Sequence, residues 1–294
     1  MRVAFIIPCL NEQSSVARVV RDCRQHMPEA DVYVLDNNSS DETAVEAARA
    51  GAKVIHSPLR GKGHVIRHAF RVIDADYYVM IDGDGTYPVE ETKRLLDIAN
   101  SQNYEMVMGS RLEKAKAKAF RPLHFVGNKG LTGLVRLLFN FPVHDLLTGF
   151  RIFSRRFASE VHLLSHGFEL ETELTIRAMA QDMAFCEVPI SYGERDERGQ
   201  SKLRTFRDGF KILRTILRLW RNFRPLQFFS SLALLTVPVW WLAPALAQFF
   251  FGGLGLGFLL LGFYLESQVD WIKLRRQPSR QLENHHQETF KKSA

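Results

Sequence analysis

Residues 3–8, 31–35 and 77–81 are short apolar runs, each closed by a turn rich in Pro, Gly, Asn or Asp. Runs of that length with such boundaries read as strands buried on both faces. Between them, apolar positions recur every three or four residues over 14–26, 43–50, 64–73 and 90–100, the period of helices with one buried face. Ser39, Ser40 and Asp41 precede the second of these and supply capping side chains. Strand and helix alternate, so the pattern predicts an α/β domain with a mainly parallel sheet. Two more strands are expected at 105–109 and 184–190, and helices at 131–139, 157–164 and 170–180.

The pattern changes after residue 202. Basic residues 204, 207, 211, 214, 218 and 221 recur at intervals of three and four, with Phe206, Phe210, Leu213, Leu217 and Trp220 on other faces. This predicts an amphipathic helix over 203–225, its basic side toward anionic headgroups and its apolar side in the acyl boundary. Docking of the same helix on the preceding domain is the alternative. Residues 226–265 then carry no charge at all, enough for two bilayer spans of about 20 residues each. Arg221 and Arg224 before this run, and Lys273, Arg275 and Arg276 after it, favour a hairpin with both ends in the cytosol. The expected organisation is therefore a catalytic domain over 1–202, the interface helix, a transmembrane hairpin over 226–265 and a polar basic tail over 266–294.

Charge sharpens this picture. The chain of 294 residues has a formal charge of +7, which on its own would suggest nucleic acid. Residues 201–225, however, hold eight basic side chains against Asp208, and the rest carries 31 of each sign. The surplus is thus a collar ahead of the apolar run, so an anionic membrane is the expected partner and nucleic acid is not. Cys9, Cys23 and Cys186 have no paired spacing, consistent with a reducing compartment. The start of the chain does not read as a secretory signal, which places the first 200 or so residues in the cytosol.

Parallel α/β sheets bind ligands at the carboxyl ends of their strands. Asn11, Glu12 and Asp36 lie there, as does Asp82-Gly83-Asp84. Two carboxylates one residue apart after a buried strand can present oxygens to Mg²⁺ or Mn²⁺, although Asp-Gly also favours a simple solvated turn. Gly61-Lys62-Gly63 offers close backbone approach and a charge for phosphate, but no Walker or Rossmann spacing is present. Asp145 and Arg151 flank Thr148-Gly149-Phe150, either as an ion pair or as ligand groups. Glu169, Glu171 and Glu173 at a helix start suit the helix dipole, and one of them could face the site. Arg195, Arg198 and Lys202 lie on a flexible basic loop that could close over a diphosphate.

In order along the chain, Pro8/Asn11/Glu12, Asp36, Lys62, Asp82-Gly83-Asp84, Gly109-Ser110-Arg111, Asp145-x-x-Thr148-Gly149-Phe150-Arg151 and Gly199-x-Ser201-Lys202 resemble family 2 glycosyltransferases of the GT-A fold. More narrowly, the set is similar to polyprenyl-phosphate sugar transferases typified by dolichyl-phosphate mannose synthase, over roughly residues 1–215. The resemblance implies a nucleoside held by Pro8, Glu12 and Asp36, with Lys62 and Asp82 near ribose and diphosphate. It implies a metal on Asp84 with Asp82, Arg111 on an acceptor phosphate, and Lys202 with Arg195 or Arg198 on the donor diphosphate. Thr86 stands where the mannose synthases carry Gln. The implied reaction moves a sugar, with inversion, from a nucleotide-diphosphate sugar to a polyprenyl phosphate. A glycolipid or glycan hydroxyl acceptor would instead need a base, for which Asp145 is the candidate. A non-catalytic scaffold or nucleotide sensor of the same fold is the third expectation.

Overall fold

A computed structural model describes residues 1–111, 122–193, 205–242 and 247–269. The chain divides into two units, Met1–Ile216 and Leu217–Ala294, where the expected boundaries were 202/203 and 225/226.

In the first unit, β1 (Val3–Cys9) lies inside a seven-stranded sheet of order β3-β2-β1-β4-β6-β5-β7. Its neighbours β2 (Asp31–Asp36) and β4 (Tyr77–Met80) run parallel to it, with Phe5 opposite Val32 and Val79. On the edges, β3 (Lys53–His56) runs parallel to β2, and β7 (Phe185–Pro189) parallel to β5 (Met106–Ser110). Only β6 (Arg151–Ser154) is antiparallel to its neighbours β4 and β5. The mainly parallel sheet is as expected. Apolar runs became interior strands because both faces are covered: Phe5, Ile6 and Ile7 are fully buried.

The helices α1 (Val16–His26), α2 (Thr43–Arg49), α3 (Lys62–Val72) and α4 (Thr92–Ser101) follow the predicted segments within two residues. Val16, Val19, Val20 and Cys23 of α1 share one core cluster with Phe5, Ile7 and Val79. Next come α5 (Pro122–Phe139), α6 (Arg155–Glu160) and α7 (Leu170–Ala180). Three expectations need correction. Neither β3 nor β6 was predicted, α5 begins nine residues before 131, and α6 stops well before 164. Glu42 is the N-cap of α2 and makes no side-chain hydrogen bond, but Asp41 caps as expected, its Oδ1 accepting from the Thr43 N–H at 3.1 Å; Ser39 bonds to the preceding loop instead.

The segment after α6 lies against the start of α3. Gly63 donates its N–H to the His166 carbonyl at 3.0 Å, and a Cβ at Gly63 would overlap the Ser165 carbonyl oxygen. Gly63→Ala is therefore expected to cost about 2 to 3 kcal/mol, since backbone must move to admit one methyl. Gly133, inside α5 with open space around it, should gain up to about 1 kcal/mol on the same change through helix propensity. Melting temperatures of the two variants check this contrast, and equal shifts would refute it.

Helix α8 (Thr205–Phe223) crosses the boundary between units. Ile212, Thr215 and Ile216 are buried, so part of its apolar side is satisfied within the protein and not in an acyl boundary. Its exposed positions interleave Arg207, Lys211, Arg214 and Arg221 with Phe210 and Leu217. In the second unit, α9 (Pro225–Leu242) and α10 (Ala247–Val269) pack antiparallel. Glu266 near the end of α10 accepts the Leu226 N–H at 2.9 Å, and at the other end Gly252 faces Trp240. Among the described residues only Ala247–Val269 is long and apolar enough to cross a membrane; the other apolar segment, Pro225–Pro238, is shorter.

Candidate active site

The sheet places the ends of β1, β2 and β4 side by side, and three loops meet there. Asn11 and Asn38 adopt left-handed φ values of 52° and 60°, a conformation that Asn tolerates better than most residues. Their loops are laced together. Asn11 donates its N–H to Ser39 Oγ at 3.0 Å and accepts from the Ser40 N–H at 2.8 Å through Oδ1. Glu12 N–H binds Thr43 Oγ1 at 2.8 Å. Asn11 therefore braces the two loops, while Pro8 on β1 pairs in register with Leu35. Asp36 is buried at the end of β2, where Oδ1 accepts from the Ser39 N–H and Oδ2 sits 3.0 Å from His56 Nδ1.

The Asp82-Gly83-Asp84 turn is held from below. Ser15 Oγ donates to the Gly83 carbonyl at 2.7 Å, and a Cβ on Gly83 would overlap Cys9 Sγ. Asp84 is buried, and its Oδ1 accepts from Thr86 N–H at 3.1 Å and Thr86 Oγ1 at 2.7 Å. Thr86 thus orients Asp84. Asp82 Oδ1 receives Lys62 Nζ at 2.6 Å, and the same ammonium reaches Glu171 Oε1 at 2.6 Å. Burial opposes the Lys62 charge, yet Asp82 and Glu171 outweigh it and hold the pKa above the ordinary lysine value. Of the three glutamates at the start of α7, Glu171 is the one that faces this site. Glu169 and Glu173 accept backbone N–H groups of residues 164–167 instead.

These carboxylates suit a hard divalent ion. Asp82 Oδ2 takes no hydrogen bond among the described residues, and Gly149 leaves room beside it, since a Cβ there would lie 2.5 Å away. No group of three or more His, Cys, Asp or Glu side chains forms an all-protein cage among the described residues. Such a donor set fits Mg²⁺ or Mn²⁺, which usually bind through one or two carboxylates plus phosphates and water.

Behind this turn lies a buried ion pair that the spacing did not predict. Asp145 Oδ2 accepts from Arg111 Nε at 2.7 Å and Arg111 N–H at 3.0 Å; Oδ1 accepts from the second arm of the guanidinium at 2.8 Å and from Asn128 Nδ2 at 3.0 Å. Burial pushes against ionisation of Asp145, but the Arg111 charge and these donors hold its carboxyl below the usual range. Tyr87 joins the cluster, its hydroxyl accepting from Gly149 N–H at 2.6 Å and Arg111 Nη1 at 3.3 Å. The alternative pairing of Asp145 with Arg151 is corrected here. Arg151 is fully buried and gives its protons to the Thr148 and Leu146 carbonyls and to Thr175 Oγ1. Burial pulls its pKa down to about 10. Lys202, Arg195 and Arg198 lie outside the described residues.

The sequence model for glycosyl transferase family 2 matches residues 4–161. The chain belongs to that family. It is 33% identical over 220 residues to the low-salt glycan biosynthesis hexosyltransferase Agl6 of Haloferax volcanii, covering 73% of this chain and 53% of that protein. The chain thus spans about half the length of that relative. A dolichyl-phosphate hexose transferase of the same organism is 30% identical over 217 residues, covering 74% of this chain and 93% of the relative. Among solved structures, glucosyl-3-phosphoglycerate synthase from Mycobacterium tuberculosis with Mn²⁺ and uridine-diphosphate-glucose superposes with a TM-score of 0.62 at 19% identity, over 74% of this chain and 78% of that one. At that identity the likeness shows a shared fold.

The family 2 match contains Asp36, Lys62, Asp82, Asp84, Arg111 and Asp145 and ends before Glu171. Four contributors were not singled out in the sequence as site residues: His56, Tyr87, Asn128 and Glu187, which binds the His144 and Asp145 N–H groups at 2.7 and 2.9 Å. None carries a local signal, because each acts through a partner at least 17 residues away along the chain.

Proposed function

We propose that this chain is a membrane-anchored, metal-assisted, inverting glycosyltransferase that moves a hexose from a nucleotide-diphosphate sugar to a polyprenyl phosphate at the cytosolic leaflet. The observation that carries this reading is the convergence of Asp82, Asp84 and Lys62 at the carboxyl edge of the sheet, with Asp36 buried at the end of β2, on the other side of β1. Pro8, Asn11, Glu12 and Asp36 surround the nucleoside, and Lys62, with Lys202 and Arg195 or Arg198, meets the diphosphate. A divalent ion on Asp84 and Asp82 neutralises charge on the leaving group when bound. An acceptor oxygen forms a bond to the anomeric carbon as the bond from that carbon to the donor diphosphate breaks. The electron pair leaves with the nucleoside diphosphate.

A specific observation favours a phosphate over a hydroxyl acceptor. Asp145, the candidate base, accepts four hydrogen bonds, about the number of lone-pair sites a carboxylate offers. It is committed to Arg111. A phosphate monoester is already anionic near neutral pH and needs no base, and the dolichyl-phosphate hexose transferase relative supports such an acceptor. In this reading Arg111, positioned by Asp145, shapes the acceptor side.

For the membrane end, α9 and α10 form the hairpin, with the catalytic unit and both ends of the chain in the cytosol. The exposed basic residues of α8, interleaved with Phe210 and Leu217, meet anionic headgroups. The test is mass spectrometry of lipid recovered after incubating the purified full chain with Mn²⁺, mixed uridine- and guanosine-diphosphate hexoses and a polyprenyl phosphate. Gain of one hexose on the lipid is expected. An unchanged lipid beside a newly glycosylated soluble product would refute the lipid acceptor.

A further inference from the structure

The position of Lys62 poses a question of charge. Its ammonium lies 2.6 Å from both Asp82 Oδ1 and Glu171 Oε1; Glu171 is buried, whereas Asp82 is partly open to solvent. A lysine that merely tied α3 to α7 would need only Glu171. The second carboxylate is one that a divalent ion would use, and a divalent ion bound to Asp82 would repel an ammonium held against it. The local formal charges are three carboxylates, Asp82, Asp84 and Glu171, against one ammonium.

We propose that Lys62 is the resident counter-ion of the donor site, neutralising Asp82 until a divalent ion and the donor diphosphate arrive together, with Glu171 retaining the ammonium once Asp82 turns to the ion. This rests on the reading of Asp82 and Asp84 as a metal site for a nucleoside diphosphate. An ion arriving alone must compete with the ammonium for Asp82. An ion arriving with a diphosphate need not, because the phosphate oxygens give Lys62 a new partner. The two ligands therefore bind with positive coupling, which is reciprocal. Glu171 acts as a positioning residue in this scheme. Without its charge, the ammonium has only Asp82 to hold and the corner loses one negative charge.

The experiment measures Mn²⁺ binding to the full chain in detergent, by electron paramagnetic resonance of the free ion, with no nucleotide and with UDP or GDP. For the parent, one of these nucleotides should tighten Mn²⁺ binding about tenfold or more. Lys62→Met should bind Mn²⁺ about tenfold more tightly without nucleotide, the effect expected of one nearby charge in a partly screened site. Its gain on adding nucleotide should shrink. Glu171→Gln, which keeps the shape, should weaken Mn²⁺ binding severalfold without nucleotide and decides the matter if Lys62→Met fails to fold. Melting temperatures that drop while Mn²⁺ affinities stay at the parent value would overturn the proposal and leave Lys62 as a structural tie. A parent that binds neither Mn²⁺ nor nucleotide would overturn the metal-site reading itself, and the inference with it.

Discussion

Asp84→Asn is expected to lower kcat/KM for sugar transfer by about a thousandfold or more, or about 4 kcal/mol, the scale of removing metal-borne charge stabilisation from a leaving group. The fold should survive. Asn retains the Oδ1 that accepts from Thr86 N–H and Thr86 Oγ1, so the turn keeps both hydrogen bonds while losing its charge. Ser15 still holds the Gly83 carbonyl, and Gly83 still clears Cys9. The loss should therefore appear as weaker Mn²⁺ binding and lower turnover at an unchanged melting temperature. Thr86→Val is the companion variant: it leaves the carboxylate in place but removes the hydrogen bond from the Thr86 hydroxyl, and a loss of about tenfold is expected from one misoriented ligand. Steady-state rates over a Mn²⁺ series separate the cases. Parent-like turnover by Asp84→Asn at low Mn²⁺ would remove the metal from the mechanism.

Local sequence reveals the parts of this molecule whose causes are local. β1, β2 and β4 are apolar runs ending in polar turns, and α7 has the predicted bounds although it is buried on nearly every side. β3 was missed because an edge strand needs little apolar character; Lys53 and His56 are its exposed ends. β6 was missed because it begins with Arg151, which looks incompatible with an interior strand until two carbonyls and a threonine satisfy it. The early turns of α5 hold Gly127 and Gly130 behind Pro122, residues that argue against helix on propensity alone.

The site divides in the same way. Asp36, Asp82 and Asp84 were legible from their places after buried strands, since topology assembles strand ends without further information. Pairings were not. Asp145 lies six residues from Arg151 and 34 from Arg111, and local sequence offers the former as a partner but carries no sign of the latter. Glu171 was equally hidden among three acids in one helical turn. Which of them points toward Lys62, 109 residues away, depends on how α7 meets α3. On α8 the basic stripe is a helix face, and of the apolar positions the pattern assigns to lipid Phe210 and Leu217 are exposed; the protein buries Ile212 and Ile216, which that pattern does not single out.

Removing either partner of the Arg111–Asp145 pair is expected to cost about 3 to 5 kcal/mol, because it strands a buried charge. The carboxylate is fully buried and the guanidinium nearly so, and the pair is bidentate. In a unit of this size, that loss lowers the melting temperature by about 6 to 20 °C. Arg111→Met with Asp145→Leu should recover much of it, since replacing both charges removes the stranded one. Acid dependence provides a second readout. The Asp145 carboxyl is held below its ordinary value, so its contribution is complete above the unfolded value, about 4. It is lost as pH falls through the lower folded value. The parent should lose stability below about pH 4 more steeply than the double variant, with Glu169 and Glu173, also held low, providing the shared background. Single variants that cost less than about 1 kcal/mol would mean water reaches the pair. The pH–rate profile of the parent then bears on the acceptor: a profile without an acidic limb belonging to Asp145 is expected for a phosphate that needs no base, and an acidic limb that Asp145→Asn abolishes, which a misplaced Arg111 alone would not cause, would restore Asp145 as the base for a hydroxyl.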